Sequence, residues 1–214
     1  MVYRPVTRRD MHALPCEIRL ASDAHEAAEA VTLRTRVYAT GYLGMSEEEA
    51  EGLVGHEPFA DQVQVYVARE AGRLVGTVSA CLPSEEIARR VGGTVGLPVE
   101  LDFEIDADAA ARATLAHGYG AAVVADQQGR GMARSLFQTM WHQQLAGRHV
   151  VGIVATCVTE AGEARRLYAT LARQGLVSER VALRPRAHLG DRVVAVDLDA
   201  DDCEIPGVVR MYLK

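Results

Sequence analysis

The chain of 214 residues is almost without lysine, because Lys214 at its end is the only one. A Walker-type phosphate loop needs an internal lysine, and so does the Schiff base of pyridoxal enzymes. The sequence therefore excludes Walker-type nucleotide hydrolysis and argues against pyridoxal chemistry.

Cysteines are few and widely spaced. The four of them, Cys16, Cys81, Cys157 and Cys203, form no CxxC pair and have no histidine at ligand spacing. Zinc sites and disulfide frameworks both need closer clusters. We therefore expect reduced, mostly buried thiols and no metal site. A covalent route through Cys81 or Cys157 would need an adjacent base, and the sequence shows none.

Long apolar runs are also missing. No segment has the length of a membrane span or the pattern of a secretory signal, so we expect a cytoplasmic protein with no membrane partner. The net charge of -6 disfavours broad contact with nucleic acid. With 49% hydrophobic residues the chain can bury a sizeable core. We predict an N-terminal extension over 1–15 and one domain over 16–214.

The hydrophobic periodicity predicts an α/β domain, with a mixed, mostly antiparallel sheet flanked by helices. The predicted order is β-α-ββ-(α)-β-α-β-α-β-β. It includes a first helix capped by Asp23, a hairpin that turns at Gly72 and a helix that ends at Gly175. An Ala-rich helix is expected to end before His117, and a strand to follow over 117–125.

A glycine-containing turn follows that strand and precedes an amphipathic helix. Such a turn leaves backbone N–H groups open at the helix N-terminus, where the helix dipole favours an anion. Glycines at 129 and 131 let the main chain approach a phosphate, and Arg130 and Arg134 add positive charge. The alternative is a plain connection between strand and helix.

The ordered residues of this turn are more specific than its glycines. The run from Gln128 through Met132 to Ala133, "QGRGMA", resembles the Q/R-x-x-G-x-G/A signature of the GCN5-related N-acetyltransferase (GNAT) superfamily. The resemblance implies the GNAT fold and a donor that carries coenzyme A. It also implies two sets of contacts with coenzyme A. The pyrophosphate would bind the amides of Gly129, Gly131 and Ala133 beside Arg130 and Arg134, and the pantetheine would pair with the strand edge at Val123, Val124 and Ala125.

A second element of that superfamily is a helix with the pattern A-x-x-L-Y, which Ala164 to Tyr168 matches. The resemblance implies that the Tyr168 phenol gives a proton to the departing thiolate, as a general acid does. At the position where many members place a glutamate base, this chain has His117, which titrates near neutral pH when unperturbed. Glu104 and Asp106 are alternative bases. The pattern departs from the superfamily at Ala161, where an asparagine is common, and at the end of the helix, which is longer here.

The resemblance implies an N-acyltransferase that moves an acyl group, in the first instance acetyl, from acyl-CoA to the amine of a small molecule by direct attack in a ternary complex. One alternative comes from "LRTRVYATGYL", Leu33 to Leu43, which resembles the opening of acyl-homoserine-lactone and N-acyl amino acid synthases. Those enzymes take long acyl chains from acyl carrier protein. A further alternative is a module that binds acyl-CoA without catalysis. A homodimer through the last strands is also open.

Overall fold

The computed structural model describes residues 16–108, 112, 114–145, 152–154, 161–177, 180–192 and 203. These residues fall into two compact units. The first unit takes the described residues of Met1–Cys81 and Gly118–Val150, and the second takes those of Leu82–His117 and Val151–Lys214. No helix among the described residues combines the length and the apolar composition that crossing a bilayer requires.

The elements of the described residues are as follows. The strands are β1 (Cys16–Leu20), β2 (Gln64–Glu70), β3 (Arg73–Cys81), β4 (Phe103–Ala107), β5 (Leu115–Val123), β6 (Gly152–Val154) and β7 (Val181–Pro185). The helices are α1 (Ala24–Tyr42), α2 (Glu47–Glu51), α3 (Glu85–Val91), α4 (Met132–Met140) and α5 (Ala161–Arg173). Short 3-10 turns cover Pro98–Leu101, Ala125–Gln127 and Ala187–Arg192, and a π-turn covers Trp141–Leu145.

The sheet of the first unit has the strand order β1, β2, β3 and then β5. Its first two pairings, β1 with β2 and β2 with β3, are antiparallel. The β2–β3 hairpin turns through Ala71 at φ 49° and Gly72 at φ 82°. Positive φ at both central residues is the type I′ geometry that two-residue hairpins prefer, so the predicted turn at Gly72 is confirmed.

Helices α1 and α4 both pack on the β2–β3 hairpin. The first begins as predicted, since the Asp23 carboxylate accepts a hydrogen bond from the Glu26 N–H at 2.9 Å. The second buries Met132, Leu136 and Met140, as its amphipathic pattern predicts. These side chains form the core of the first unit together with Tyr66, Val67, Val75 and Val78.

The second unit has its own core and a two-stranded sheet of β4 and β7. The core consists of Val95, Leu97, Val99, Ile105, Ala107 and Leu115. Beside it lies the buried carboxylate of Glu100, which accepts hydrogen bonds from four consecutive backbone N–H groups, Thr94 to Leu97, at 2.5 to 3.1 Å. This carboxylate therefore fixes the path of the loop that precedes it.

Strand β5 starts and ends two residues before its predicted bounds. Leu115 and Ala116 are buried and pair in parallel with Gly152 and Ile153 of β6. The alanine-rich stretch has a helical propensity, but this pairing overrides it at its last residues, as tertiary contacts commonly do. Residues 109–111 and 113 of the alanine-rich stretch lie outside the described residues, and so do the predicted strands after Arg192.

Helix α5 is confirmed, and it ends as predicted at Gly175, which has φ 67°. Its buried positions are Ala169 and Thr170, whereas Ala164 and Tyr168 are exposed. Thr170 is accommodated there because its hydroxyl donates to the Arg166 carbonyl of the previous turn at 2.8 Å.

Candidate functional site

The glycine turn lies where the sequence places it, between the end of β5 and the start of α4. Gly129 and Gly131 have φ values of 77° and 83°, in the left-handed region that favours glycine. Gly131 is the N-cap residue of α4 and offers no side chain to cap the helix. The first backbone bond of the helix runs from the Ser135 N–H to the Gly131 carbonyl at 3.0 Å. The N–H groups of the first turn are therefore open to an outside acceptor.

Three side-chain interactions hold the turn in place. Gln128 donates through Nε2 to the Val123 carbonyl at 2.9 Å. Gln127, which is buried, donates to Glu70 of β2 at 2.7 Å. Asp126 forms an ion pair with Arg73 of β3. The Gln128 side chain therefore stabilises the turn through a hydrogen bond to the protein's own backbone, and its Nε2 group is already bonded in the absence of a ligand.

The surroundings of the turn fit a diphosphate. Arg130 and Arg134 are exposed on it, and Nη1 of Arg130 lies 3.4 Å from Oε1 of Gln127. A Cβ atom added at Gly129 or Gly131 would meet nothing within 4 Å, so the space beside the turn is open. Open N–H groups and guanidinium groups donate hydrogen bonds to a pyrophosphate, and the positive end of the helix dipole favours its negative charge.

The strand edge before the turn offers fewer free groups than the sequence predicts. The Val123 carbonyl is taken by Gln128, and the Val124 N–H donates to the Val75 carbonyl of β3 at 3.0 Å. Ala125 already belongs to the 3-10 turn. Met132 is a core side chain, 1% exposed, and only its main chain faces the turn. Pairing with pantetheine stays a prediction for this edge.

His117, the predicted base, is 3% exposed. Burial lowers the pKa of its imidazole to about 3, so the ring is neutral across the physiological range. A base this weak accepts a proton from an ammonium group only at a large energetic cost. Its burial therefore argues against the role that the resemblance implies. The alternative bases lie in water instead, because Glu104 is exposed and Asp106 is paired with Arg184 at 2.8 Å, both of them exposed.

Tyr168, the predicted acid, lies on α5 in the second unit and is 44% exposed. The glycine turn belongs to the first unit. An exposed phenol can reach a substrate, whereas a buried one could not. Its catalytic role rests on the resemblance and stays a prediction.

Sequence reasoning missed a buried ionic cluster in the first unit. Arg34 of α1 pairs with Glu57 at 3.2 Å, and their side chains are only 13% and 5% exposed. The Arg34 guanidinium also lies over the ring of Tyr119, 5.7 Å from its centre, and 3.5 Å from the Ser79 hydroxyl. Arg34 lies within the run "LRTRVY", but no local pattern connects it with a glutamate in a loop 23 residues later.

Burial raises the pKa of two titratable groups beside the cluster. With a smaller contribution from the Glu57 charge, it raises the pKa of the Cys81 thiol to about 12. Burial also raises the pKa of Tyr119, and the Glu57 charge acts in the same direction. Cys81 therefore stays protonated at neutral pH and is a poor nucleophile. Cys157 lies outside the described residues, among which no group of three His, Cys, Asp or Glu side chains could hold a metal.

No protein-family model matches the chain, and no curated protein matches it. Solved structures do. An integron cassette protein of V. cholerae is 14% identical over 78% of this chain and 87% of its own, with a TM-score of 0.45. A ribosomal-protein-alanine N-acetyltransferase of Brucella melitensis is 20% identical over 76% and 91%, with a TM-score of 0.39. An aminoglycoside acetyltransferase from an uncultured soil metagenomic sample is 14% identical over 78% and 92%, with a TM-score of 0.41.

Two of these three structures are named acetyltransferases. At such identities and TM-scores the likeness carries nothing about what this chain binds or acts on. The acyl donor and the acceptor must therefore be inferred from the residues of this chain.

Proposed function

We propose that this chain is an N-acyltransferase that moves an acyl group, in the first instance acetyl, from acyl-CoA to the amine of a small molecule. One observation carries the proposal: the turn at 128–131 has two left-handed glycines at the open N-terminus of a nine-residue helix, in the residue order of the GNAT signature. A plain connection would need neither the second glycine nor the two exposed arginines. The three side-chain anchors of the turn, of which Gln127 is buried, support a preformed site.

The donor would be held chiefly by main chain. Its pyrophosphate would accept hydrogen bonds from the N–H groups of Gly129, Gly131 and Ala133, with Arg130 and Arg134 supplying charge. The side chains of Gln128 and Met132 would not contact it, because one is bonded to Val123 and the other is buried. Binding is therefore expected to depend on the shape of the turn more than on any single side chain.

In the proposed reaction the amine nitrogen attacks the thioester carbonyl carbon in a ternary complex, and the C–S bond breaks. Tyr168 would give the thiolate its proton. The proton of the amine would leave through water, since the buried His117 imidazole is too weak a base. A covalent step on Cys81 is disfavoured by the raised pKa of that thiol.

The experiment that tests this function measures the release of thiol from acetyl-CoA in the presence of primary amines, among them a polyamine, an aminoglycoside and free amino acids. Tyr168→Phe is expected to keep the affinity for CoA within about threefold and to lower kcat by about 10²-fold, in the range of general acid catalysis. Tyr42→Phe is the matched control, because Tyr42 is likewise exposed, at 57%, on a helix.

Two other outcomes would overturn the proposal in different ways. Tight CoA binding without turnover of any amine, and without an effect of Tyr168→Phe, would identify a non-catalytic acyl-CoA module. Turnover only with long acyl chains, or only with acyl carrier protein as donor, would identify the long-chain synthase instead.

A further inference from the structure

Gly120 lies inside β5 with φ 67°, in a conformation that breaks the regular strand. We call this the Gly120 kink. Positive φ within a strand marks a bulge or a close approach of another group. Here there is such a group, because a Cβ added at Gly120 would lie 2.8 Å from Cδ of Arg34 and closer still to its Nη1. The Arg34 guanidinium therefore occupies the space that a side chain at 120 would take.

Helix α1 contacts the next residue as well. The hydroxyl of Tyr38 donates to the Ala121 carbonyl at 3.1 Å. Tyr38 follows Arg34 by four residues, so the two side chains leave the same face of α1. One face of α1 thus contacts two consecutive residues of β5. Arg34 fills the space beside Gly120, and Tyr38 forms a hydrogen bond with Ala121.

The position of the guanidinium is itself fixed. Glu57 accepts from Nη2 at 3.2 Å, and the Tyr119 ring lies beneath the group. The loop that carries Glu57 is bound to α1, because the Gly55 N–H donates to the Thr32 hydroxyl at 3.2 Å. A buried ion pair adds little net stability relative to an apolar pair of the same size. What the pair does provide is a guanidinium held in one position.

The Gly120 kink stands at the start of the strand segment that leads into the glycine turn. Three residues after it, the Val123 carbonyl accepts from Gln128 of that turn. A shift of the kink would therefore move Val123, and Gln128 would transmit the shift to Gly129 and Gly131. Rigid connections of this kind pass on displacements of about 1 Å, which are enough to cost a reaction about 10²-fold.

We propose that Arg34, held by Glu57, is a positioning residue that fixes the Gly120 kink, and with it the strand edge and the turn that face the acyl donor. The inference rests on the proposed function, because it assigns a part in that reaction. Tyr38 supports the same segment one residue further on. Neither residue is required to touch the substrate.

The test compares four variants by CoA titration calorimetry, by thiol release from acetyl-CoA, and by the amide ¹H–¹⁵N shifts of Gly129 and Gly131. Arg34→Lys keeps a charge for Glu57 but loses the planar fork. Tyr38→Phe removes only the hydrogen bond to Ala121. Gly120→Ala strains the kink directly. Arg36→Lys is the control, since Arg36 lies on the same helix and donates to the Leu53 carbonyl instead.

The expected result has three parts. The first three variants lower kcat tenfold to 10²-fold, weaken CoA binding by more than about threefold because the turn is displaced, and shift both glycine amides, while Arg36→Lys does none of these. A fall in melting temperature with unchanged kcat and unchanged glycine amide shifts would overturn the inference and leave Arg34 a purely structural residue. Absence of CoA binding and turnover in the unmodified chain would reject the proposed function instead, and would be seen before any variant is made.

Discussion

At the scale of single residues, burial changes the pKa of some titratable groups, and hydrogen-bonded neighbours change the pKa of others. His117 shows this most clearly, because its imidazole is neutral inside the protein and titrates near 6.5 in the unfolded chain. Glu26 shows the opposite case. Hydrogen bonds from Arg19 lower the pKa of its carboxyl, and the Ser22 N–H and Arg69 act in the same direction.

His117 leads to a prediction about pH and stability. Because its folded pKa of about 3 lies below the unfolded value, the unfolded chain binds more protons between the two, and stability falls as the pH falls through that window. The expected slope from this residue is about 1.4 kcal/mol per pH unit below pH 6.5. Urea unfolding of the native chain and of His117→Gln, at pH 6.5, 5.8 and 5.0, measures it.

The quantity compared is the slope of the unfolding free energy against pH. A loss of stability in His117→Gln that is the same at every pH does not change this slope. The range stops at pH 5.0 because the Glu26 carboxyl, whose pKa is depressed, begins to destabilise the fold only as the pH falls below its unfolded value near 4.5. Equal slopes in the two proteins would mean that His117 is not buried as described.

At the scale of elements, a helix that packs closely on a strand limits the size of the side chains between them. Gly76 of β3 is such a place, because an added Cβ would lie 3.0 Å from Cδ1 of Leu136 and 3.2 Å from the Ala122 carbonyl. Gly76→Ala is therefore expected to destabilise the chain by about 1–3 kcal/mol through overpacking. Thermal unfolding provides the measurement.

Gly41 is the matched control for that substitution. It lies in α1, where an added Cβ would meet nothing within 4 Å. Gly41→Ala is expected to raise stability by up to about 0.5–1 kcal/mol, because alanine has the higher helix propensity. If both alanines had the same effect, α4 would not be pressed against β3 as described.

The loop before the Pro98–Leu101 turn depends on one carboxylate. Glu100→Gln replaces one carboxylate oxygen by an NH₂ group that cannot accept hydrogen bonds. Each oxygen accepts from two of the four N–H groups of Thr94 to Leu97, so the substitution removes the acceptor of two of them. The expected cost is about 2–3 kcal/mol in the free energy of unfolding. Glu104→Gln, at an exposed carboxylate of the same unit, should stay within about 0.5 kcal/mol. Denaturant titration measures both free energies of unfolding. Equal values for the two variants would mean that the Glu100 hydrogen bonds do not stabilise the fold.

Elements that local patterns define could be predicted from the sequence. The β2–β3 hairpin, the Asp23 cap, the start of α4 and the Gly175 end of α5 all follow from turn residues and periodicity within a few positions. The pairing of β4 with β7 could not be predicted, because it joins Phe103 to Pro185 across some 80 residues. The start of β5 was misplaced for the same reason, since its partner β6 comes later in the chain.

The candidate site divides in the same way. The glycine turn was predictable because it is contiguous, and its residue order is specific. The roles of Gln128 and Met132 were not, because they depend on the Val123 carbonyl and on the core beneath α4. The Arg34 cluster could not be predicted from the sequence, because its residues come from α1, a loop, β3 and β5.

At the scale of the whole molecule, the account depends on one claim: that the turn at 128–131 binds the diphosphate of coenzyme A. The Gly120 kink and the anchors of the turn gain a common purpose only if it does. The measurement must therefore separate the shape of the turn from the stability of the chain.

That measurement is calorimetric titration of CoA, acetyl-CoA and dodecanoyl-CoA into the native chain and into Gly131→Val. Gly44→Val serves as control, because Gly44 has a similarly positive φ of 67° and equally open space around it. The account predicts binding to the native chain and to Gly44→Val, and at least a tenfold loss of affinity in Gly131→Val. Equal affinities in all three proteins, or no binding to the native chain, would contradict it.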